Sequence, residues 1–158
     1  MKKLILLSLI LFVFAACKKD EDDENSDPKQ TQITIRTYKV LDAESGKIDT
    51  VFLNGSIYLW DNSQGNLEIN NLGQALEGFA YNKSTNTYVK HTAENRHGIL
   101  VTNQPKGKYL VFAIDDVTTE SGRLAYSHKF FEVNDQPKLF MDKTFSLNAQ
   151  AESFEEWK

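Results

Sequence analysis

The sequence predicts an all-β protein, built as a single antiparallel two-sheet sandwich of seven or eight strands. Segments in which apolar and polar residues alternate recur along the chain, and clusters of Gly, Asn, Asp, Ser and Pro separate them about every eight to twelve residues. No long amphipathic helix pattern interrupts them, although residues 149–158 favour a short C-terminal helix. Together these observations indicate a sandwich of short strands.

The predicted strands follow one another at short intervals. The first covers residues 31–41, where Ile33 and Ile35 alternate with the residues of the opposite face. A turn at residues 42–47 and a short run at 50–53 then lead to a second clear strand, residues 56–60. The remaining predicted strands cover residues 80–81 and 87–92, which form a hairpin, and then residues 98–102, 108–115, 125–133 and 138–147.

The pattern between residues 67 and 79 is mixed. Apolar residues there follow neither a period of two nor a period of 3.6 over a sufficient length. The stretch fits either a weak strand with a loop or a short helix around residues 72–76, and both alternatives stay open.

The first sixteen residues have the composition of an export signal. Lys2 and Lys3 precede an apolar run over residues 4–14, and small residues follow it. The run is too short to span a bilayer, which needs roughly 20 residues. Residues 1–16 are therefore predicted to be a signal peptide that is not part of the fold.

The end of this segment, Phe14-Ala15-Ala16-Cys17, resembles the lipobox of bacterial lipoproteins. The resemblance implies a thioether-linked diacylglycerol on Cys17, cleavage before it and acylation of the new amino terminus. Cys17 is the only cysteine, so it has neither a disulfide partner nor a companion metal ligand. The alternative is an ordinary secretory signal in which the cysteine occurs by chance.

Residues 17–30 are predicted to form a lipidated, acidic and disordered tether. The lysines and acids directly behind Cys17 resemble the surface-export signal of Bacteroidetes lipoproteins. That resemblance implies a lipid anchor in the outer membrane of a Gram-negative bacterium, with the protein on the cell surface. The alternative is that the segment serves only as a solvated spacer.

The remaining residues, 31–158, have the size and composition of one domain. They contain 13 basic and 16 acidic residues, hence a net charge of −3, whereas a nucleic-acid site needs a basic patch. Nucleic acid is therefore not an expected partner. The membrane is expected as one through Cys17, whose covalent lipid is the only attached group that the sequence predicts.

Four segments sharpen the predicted fold. Residues 40–47 and 55–61 resemble the opening of the carboxypeptidase-regulatory-like domains, which have a transthyretin-like or immunoglobulin-like sandwich. Residues 98–101 and 105–113 are similar to their closing turn and strand. On this comparison the inward-facing residues are Ile57, Leu59, Tyr109, Val111 and Ala113, and the ring of Tyr109 is buried while its hydroxyl finds a backbone partner.

The sequence contains no recognisable catalytic constellation, and we expect no enzyme activity, cofactor or metal. His91, His97 and His128 are not at metal-binding spacings, and we expect His91 and His97 to be exposed. Residues 61–68 resemble an oxygen-rich calcium loop but lack its spacing, so a plain turn is expected. Asp115 is expected to end its strand in water.

Tyr58 and Trp60 are the only candidate binding residues. Alternation places both on the outer face of one strand, where two rings could stack on a sugar or pack against a protein. The alternative is a second small core, in which the C-terminal segment covers them through Phe154 and Trp157. The expected function is a non-enzymatic binding or adhesion module for a protein or a glycan. The other hypothesis is a structural accessory subunit of an outer-membrane transport or processing complex.

Overall fold

A computed structural model describes residues 29–42, 48–115, 124–145, 151–152 and 157–158. Over this part of the chain the protein is all-β, with twelve strands and one five-residue helix, which confirms the predicted fold class. The strands outnumber the seven or eight predicted because several of them are only two to four residues long. In chain order the elements are β1 (Gln30–Asp42), β2 (Ile48–Phe52), β3 (Ile57–Asp61), β4 (Leu67–Glu68), α1 (Leu72–Leu76), β5 (Phe79–Asn82), β6 (Thr87–Lys90), β7 (Ala93–Asn95), β8 (Ile99–Pro105), β9 (Gly107–Asp115), β10 (Ala125–Val133), β11 (Lys138–Phe145) and β12 (Ala151–Glu152).

Sheet A is organised around the long strand β1. On one side β1 pairs with β11, and on the other it pairs first with β8 and then with β2. The pair with β11 is parallel, as is the pair of β10 with β12, whereas the sequence predicted antiparallel pairs throughout. Both parallel pairs join strands that are not neighbours in the sequence, and alternation within a strand carries no information about its partner.

Sheet B has the strand order β12-β10-β9-β3-β7, and sheet C has the order β4-β5-β6. The main core lies between sheets A and B. Its buried members are apolar residues from both inner faces together with one C-terminal residue: Ile33, Ile35, Leu53, Ile57, Leu59, Leu100, Tyr109, Val111, Ala113, Ala125, Val133, Met141, Phe145 and Trp157. The sequence predicted five of these as inward-facing, and all five are buried there.

A second core lies on the other face of sheet B, beneath sheet C and α1. Its buried members are Tyr58, Trp60, Leu67, Ala75, Ala80, Leu110, Phe112 and Ile114. The central strands of sheet B, β3 and β9, are thus buried on both faces, which explains why all seven residues from Tyr109 to Asp115 are buried instead of alternating with exposed ones. The described residues therefore form three layers, one more than the predicted sandwich.

Both alternatives for residues 67–79 are realised one after the other. The stretch begins as β4 and continues as α1, whose N-cap is Asn71 with its side-chain Oδ1 accepting a hydrogen bond from Gln74 N at 3.1 Å. The C-terminal helix prediction is not met where the structure describes that segment: residues 151–152 are a strand and Trp157 is not helical. The other residues of that prediction lie outside the described part.

Gly98 joins the two large sheets at a point of close backbone approach. Its N–H donates to Gly55 O at 2.8 Å, and its carbonyl accepts from Thr37 N at 2.9 Å. Its φ is +75°, and a Cβ atom there would collide with Leu53 O. Glycine is therefore required at this position by both the dihedral angle and the available space.

Tyr109 fulfils the role predicted for it. Its ring is buried in the main core, and its hydroxyl donates a hydrogen bond to Pro105 O at 2.8 Å. Burial and, secondarily, the nearby negative charge of Asp61 raise the pKa of the Tyr109 phenol. The contact closes the turn between β8 and β9.

Candidate functional site

Tyr58 and Trp60 are buried, so the expectation of two exposed, ligand-facing aromatic rings is wrong. The alternation was read correctly, because both point away from the main core. However, their exposed fractions are only 3% and 1%. The alternative, a second small core that buries both rings, is confirmed, but the segment that covers them is not the predicted one.

The cover over this pair comes from residues 67–89, and the predicted cover was a different segment. The Tyr58 hydroxyl donates to Leu76 O at 3.1 Å, and Trp60 Nε1 donates to Val89 O at 3.1 Å. Trp157 lies instead in the main core, where its Nε1 donates to Ser127 Oγ at 3.0 Å. Phe154 lies outside the described residues. Sequence reasoning missed this cover because the pattern of residues 67–79 was ambiguous.

The outer face of sheet A is an aromatic surface that stays exposed in the described part of the chain. Phe52, Ile99, Val101 and Phe140 all point outward there, with exposed fractions between 38% and 58%. Phe140 and Val101 flank Thr34 in one cross-strand row, Asp142 and Ile99 flank Arg36 in the next, and Tyr38 pairs with Phe52 in the third. We call this surface, defined by Thr34, Arg36, Tyr38, Phe52, Ile99, Val101, Phe140 and Asp142, the open face.

A charged pair lies in the middle of the open face. Arg36 Nε donates to Asp142 Oδ1 at 2.7 Å and its Nη2 donates to Oδ2 at 2.8 Å, which is a bidentate arrangement. The hydrogen bond to Asp142 raises the pKa of the Arg36 guanidinium, so Arg36 stays charged. The guanidinium lies 5.8 Å from the centre of the Tyr38 ring, and that ring lies 4.7 Å from the Phe52 ring.

A cleft of about 320 Å³ lies on the other side of the molecule, where β3 ends. We call it the loop cleft. It opens between the loop of residues 61–67 and the end of sheet C. Three of its lining residues are apolar, namely Trp60, Leu67 and Val89. The others are polar or charged: Asp61, Asn62, Ser63, Gln64, Asn66, Asn82, Lys90 and Thr92.

The loop of the cleft is held by its own hydrogen bonds. Asn62 N donates to Lys108 O at 2.7 Å, and Asn62 Oδ1 accepts from Leu67 N at 3.0 Å. Ser63 donates to Asp61 Oδ1 through both its backbone N–H and its hydroxyl. The side-chain oxygens that suggested a calcium loop thus serve the loop itself, and the described residues contain no cluster of three or more potential metal-ligating acids, histidines or cysteines.

Two titratable residues lie in surroundings different from those expected. The side chain of His91 is only 9% exposed, because its ring packs 5.1 Å from the Tyr58 ring and its Nδ1 lies 3.1 Å from Gly78 O. Asp115 is buried between sheets A and B, with its Oδ2 2.9 Å from Lys39 Nζ. His97 is exposed, as predicted.

Cys17, the predicted lipidation site, lies outside the described residues, as do the signal peptide and most of the tether. Within the described residues no helix has the length and apolar character needed to cross a membrane. No protein-family model, no curated protein and no solved structure matches this chain.

Proposed function

We propose that this protein is a non-enzymatic, lipid-anchored module that binds a protein partner through the open face. The observation that carries the proposal is the cluster of exposed Phe52, Ile99, Val101 and Phe140, which surrounds Arg36 and Asp142 on the outer face of sheet A. Several large apolar side chains exposed on one face of a domain are typical of interaction surfaces.

The composition of the open face favours a protein ligand. Aromatic residues and arginine are enriched in protein interfaces, and exposed aliphatic residues offer nothing to the hydroxyl groups of a sugar. The Arg36–Asp142 pair lies at the centre of the patch with side chains 35% and 29% exposed, so a partner would bury it further. Since the two charges already compensate each other, the partner needs no net charge of its own there. We therefore expect a flat, largely apolar partner surface.

The sequence supports a location from which such a face could be presented. Under this proposal Cys17 carries the lipid and residues 18–29, which precede β1, are the tether, which at full extension could reach about 40 Å. The domain could then stand clear of the lipid headgroups on the surface of a Gram-negative outer membrane. The resemblance to carboxypeptidase-regulatory-like sandwiches stays a prediction and adds no ligand to the proposal.

The open face can be tested by native purification from membranes. Replacing Phe52, Val101 and Phe140 together with Ser should leave the fold intact, because all three side chains are more than half exposed, and should remove the co-purifying partner. The matched control replaces Leu72 and Tyr88, two exposed apolar residues outside this face, and should retain it. A wild-type protein that purifies alone, or a triple variant that keeps its partner, would contradict the proposal.

The same face also suits the second candidate function, that of a permanent accessory subunit of an outer-membrane transport or processing complex. The favouring observation is the apolar character of the patch, since permanent interfaces are more apolar than transient ones. Stoichiometry separates the two functions. A partner that remains bound in a 1:1 ratio through extended washing supports the accessory subunit. A partner that dissociates and is replaced by free partner supports the reversible binding module.

A further inference from the structure

We propose that the loop cleft is a second binding site, separate from the open face, and that its ligand is a neutral carbohydrate. This site was not recognised in the sequence, where residues 61–68 were interpreted as a turn. It goes beyond the proposed protein-binding function and does not depend on it, because the cleft and the open face share no residue.

The first support is the number of polar groups that the loop itself leaves available. Asn62 is only 7% exposed, and its Oδ1 is fixed as an acceptor by the N–H of Leu67, so its Nδ2 is a donor. Within the described part of the chain this Nδ2 has no hydrogen-bond acceptor. This Nδ2 is not among the fully enclosed polar atoms without a partner in the described residues, so it keeps some accessible surface, and Asn62 lines the cleft.

Further amide groups surround this donor. The side chains of Gln64 and Asn66 make no hydrogen bond to any residue that the structure describes, and both line the cleft. Asn82 Oδ1 accepts from Ser84 N at 2.9 Å, which leaves its Nδ2 as another donor. Planar amides pair well with vicinal hydroxyl groups because each can donate and accept at once.

The charge of the lining indicates a neutral ligand. Asp61 and Lys90 are the only charged side chains among the described residues that line the cleft, and their charges cancel. A site for a phosphate or an acidic sugar would instead be expected to contain two or more basic side chains. Among the apolar lining residues Val89 is half-buried and offers a surface that suits the C–H groups of a sugar ring, whereas Trp60 and Leu67 are buried.

The volume and the rigidity of the cleft also suit the binding of a small ligand. Its volume of about 320 Å³ is at the lower end of the range for small-ligand sites, about 300–1,000 Å³. The loop is held to β9 by Asn62 N and to the β5–β6 turn by the hydrogen bond from Lys83 N to Asn66 O, at 3.0 Å. Binding would therefore require little ordering of the loop.

The experiment uses the full-length, lipidated protein in micelles of lauryldimethylamine oxide, a detergent without a sugar headgroup that could compete. An array of neutral and acidic oligosaccharides identifies a ligand, and calorimetry gives its dissociation constant. We expect a neutral oligosaccharide to bind. Asn62→Asp keeps the acceptor for Leu67 N and removes the donor, so it should weaken binding at least tenfold.

Two further variants keep the test valid if Asn62→Asp disturbs the loop. Gln64→Ala and Asn66→Ala remove side chains that make no hydrogen bond to a described residue, and each should weaken binding about threefold to tenfold, the range expected for one lost hydrogen bond. Asn134→Ala, which removes an exposed amide outside the cleft, is the matched control and should leave affinity unchanged. Failure to bind any neutral oligosaccharide, binding confined to acidic ones, or affinity unaffected by all three cleft variants would each overturn the proposal.

Discussion

The protein has an aromatic face on each of its two large sheets, and the described residues cover that of sheet B but not that of sheet A. The covered face of sheet B carries Tyr58, Trp60 and Phe112, which lie beneath sheet C and α1 with exposed fractions of 3% or less. The open face of sheet A carries Phe52 and Phe140, which are more than half exposed. Similar side chains thus have opposite environments within one fold.

Two aromatic residues on the outer face of a strand therefore do not by themselves indicate a binding surface. Burial of a large apolar side chain contributes about 1.5–3 kcal/mol to the free energy of unfolding. A protein therefore gains stability when another segment of its chain covers such a face. Residues 67–89 do this for sheet B, and they also supply hydrogen-bond acceptors for Tyr58 and Trp60. No described residue does the same for Phe52 and Phe140, which is the basis for assigning the open face to a partner.

The largest expected effect is on stability. Trp60→Ala should lower the free energy of unfolding by about 3–5 kcal/mol, because it removes a buried ring from the second core. Phe140→Ala on the open face should change it by less than about 0.5 kcal/mol. Urea denaturation of both variants measures the contrast, and comparable losses in the two would contradict the distinction between a covered and an open face.

The two ion pairs of sheet A should differ in the same way. Asp115→Ala should cost about 3–5 kcal/mol, since it leaves Lys39 without the buried carboxylate between the sheets. Asp142→Ala should cost much less, because Arg36 on the open face can be solvated in its place. Urea denaturation at constant ionic strength measures the loss in free energy of unfolding. An equal loss for both substitutions would contradict the assignment of Arg36 and Asp142 as a solvent-exposed ion pair.

A smaller effect is expected when the covered face keeps its rings but loses a polar contact. Tyr58→Phe removes the hydrogen bond to Leu76 O and should lower the free energy of unfolding by about 1 kcal/mol. Tyr38→Phe on the open face, whose ring contacts Phe52, is the matched control and should be nearly neutral. Thermal unfolding of the two variants is the check, and a loss confined to Tyr38→Phe would contradict the assignment.

The smallest effect concerns alkaline pH and a residue of the main core, which belongs to neither face. The pKa of Tyr109 is raised in the folded protein, so the unfolded chain loses this phenolic proton first as the pH rises. The contribution of Tyr109 to stability is therefore complete below its ordinary pKa of about 10 and is lost as the pH rises through the folded value. Tyr109→Phe should be less stable at pH 7 but lose less stability between pH 9 and 11, whereas a parallel loss would contradict the prediction.

The fold class and the faces of the central strands could be predicted because both depend on local alternation. Ile57 and Leu59 were placed inward and Tyr58 and Trp60 on the opposite face, and all four assignments are correct. The third layer could not be predicted, because α1 and β4 are too short to produce a periodic signal. The weakness of that signal led to the wrong environment for Tyr58 and Trp60.

The candidate sites were harder to predict because they depend on register. Phe140, Thr34 and Val101 form one row only because β11 and β8 pair with β1 in one particular alignment. The sequence shows outward apolar residues on each strand but not which strands are neighbours. The loop cleft likewise depends on sheet C lying next to residues 61–67, which no local pattern indicates.

Site-specific photo-crosslinking in intact cells tests the open face most directly. Benzoylphenylalanine is placed at position 140 in one variant and at position 88, an exposed tyrosine outside the open face, in the control. If the open face binds a protein, irradiation should yield one discrete crosslinked species from position 140 and none from position 88. The absence of a crosslink at position 140, or the same pattern from both positions, would contradict the account.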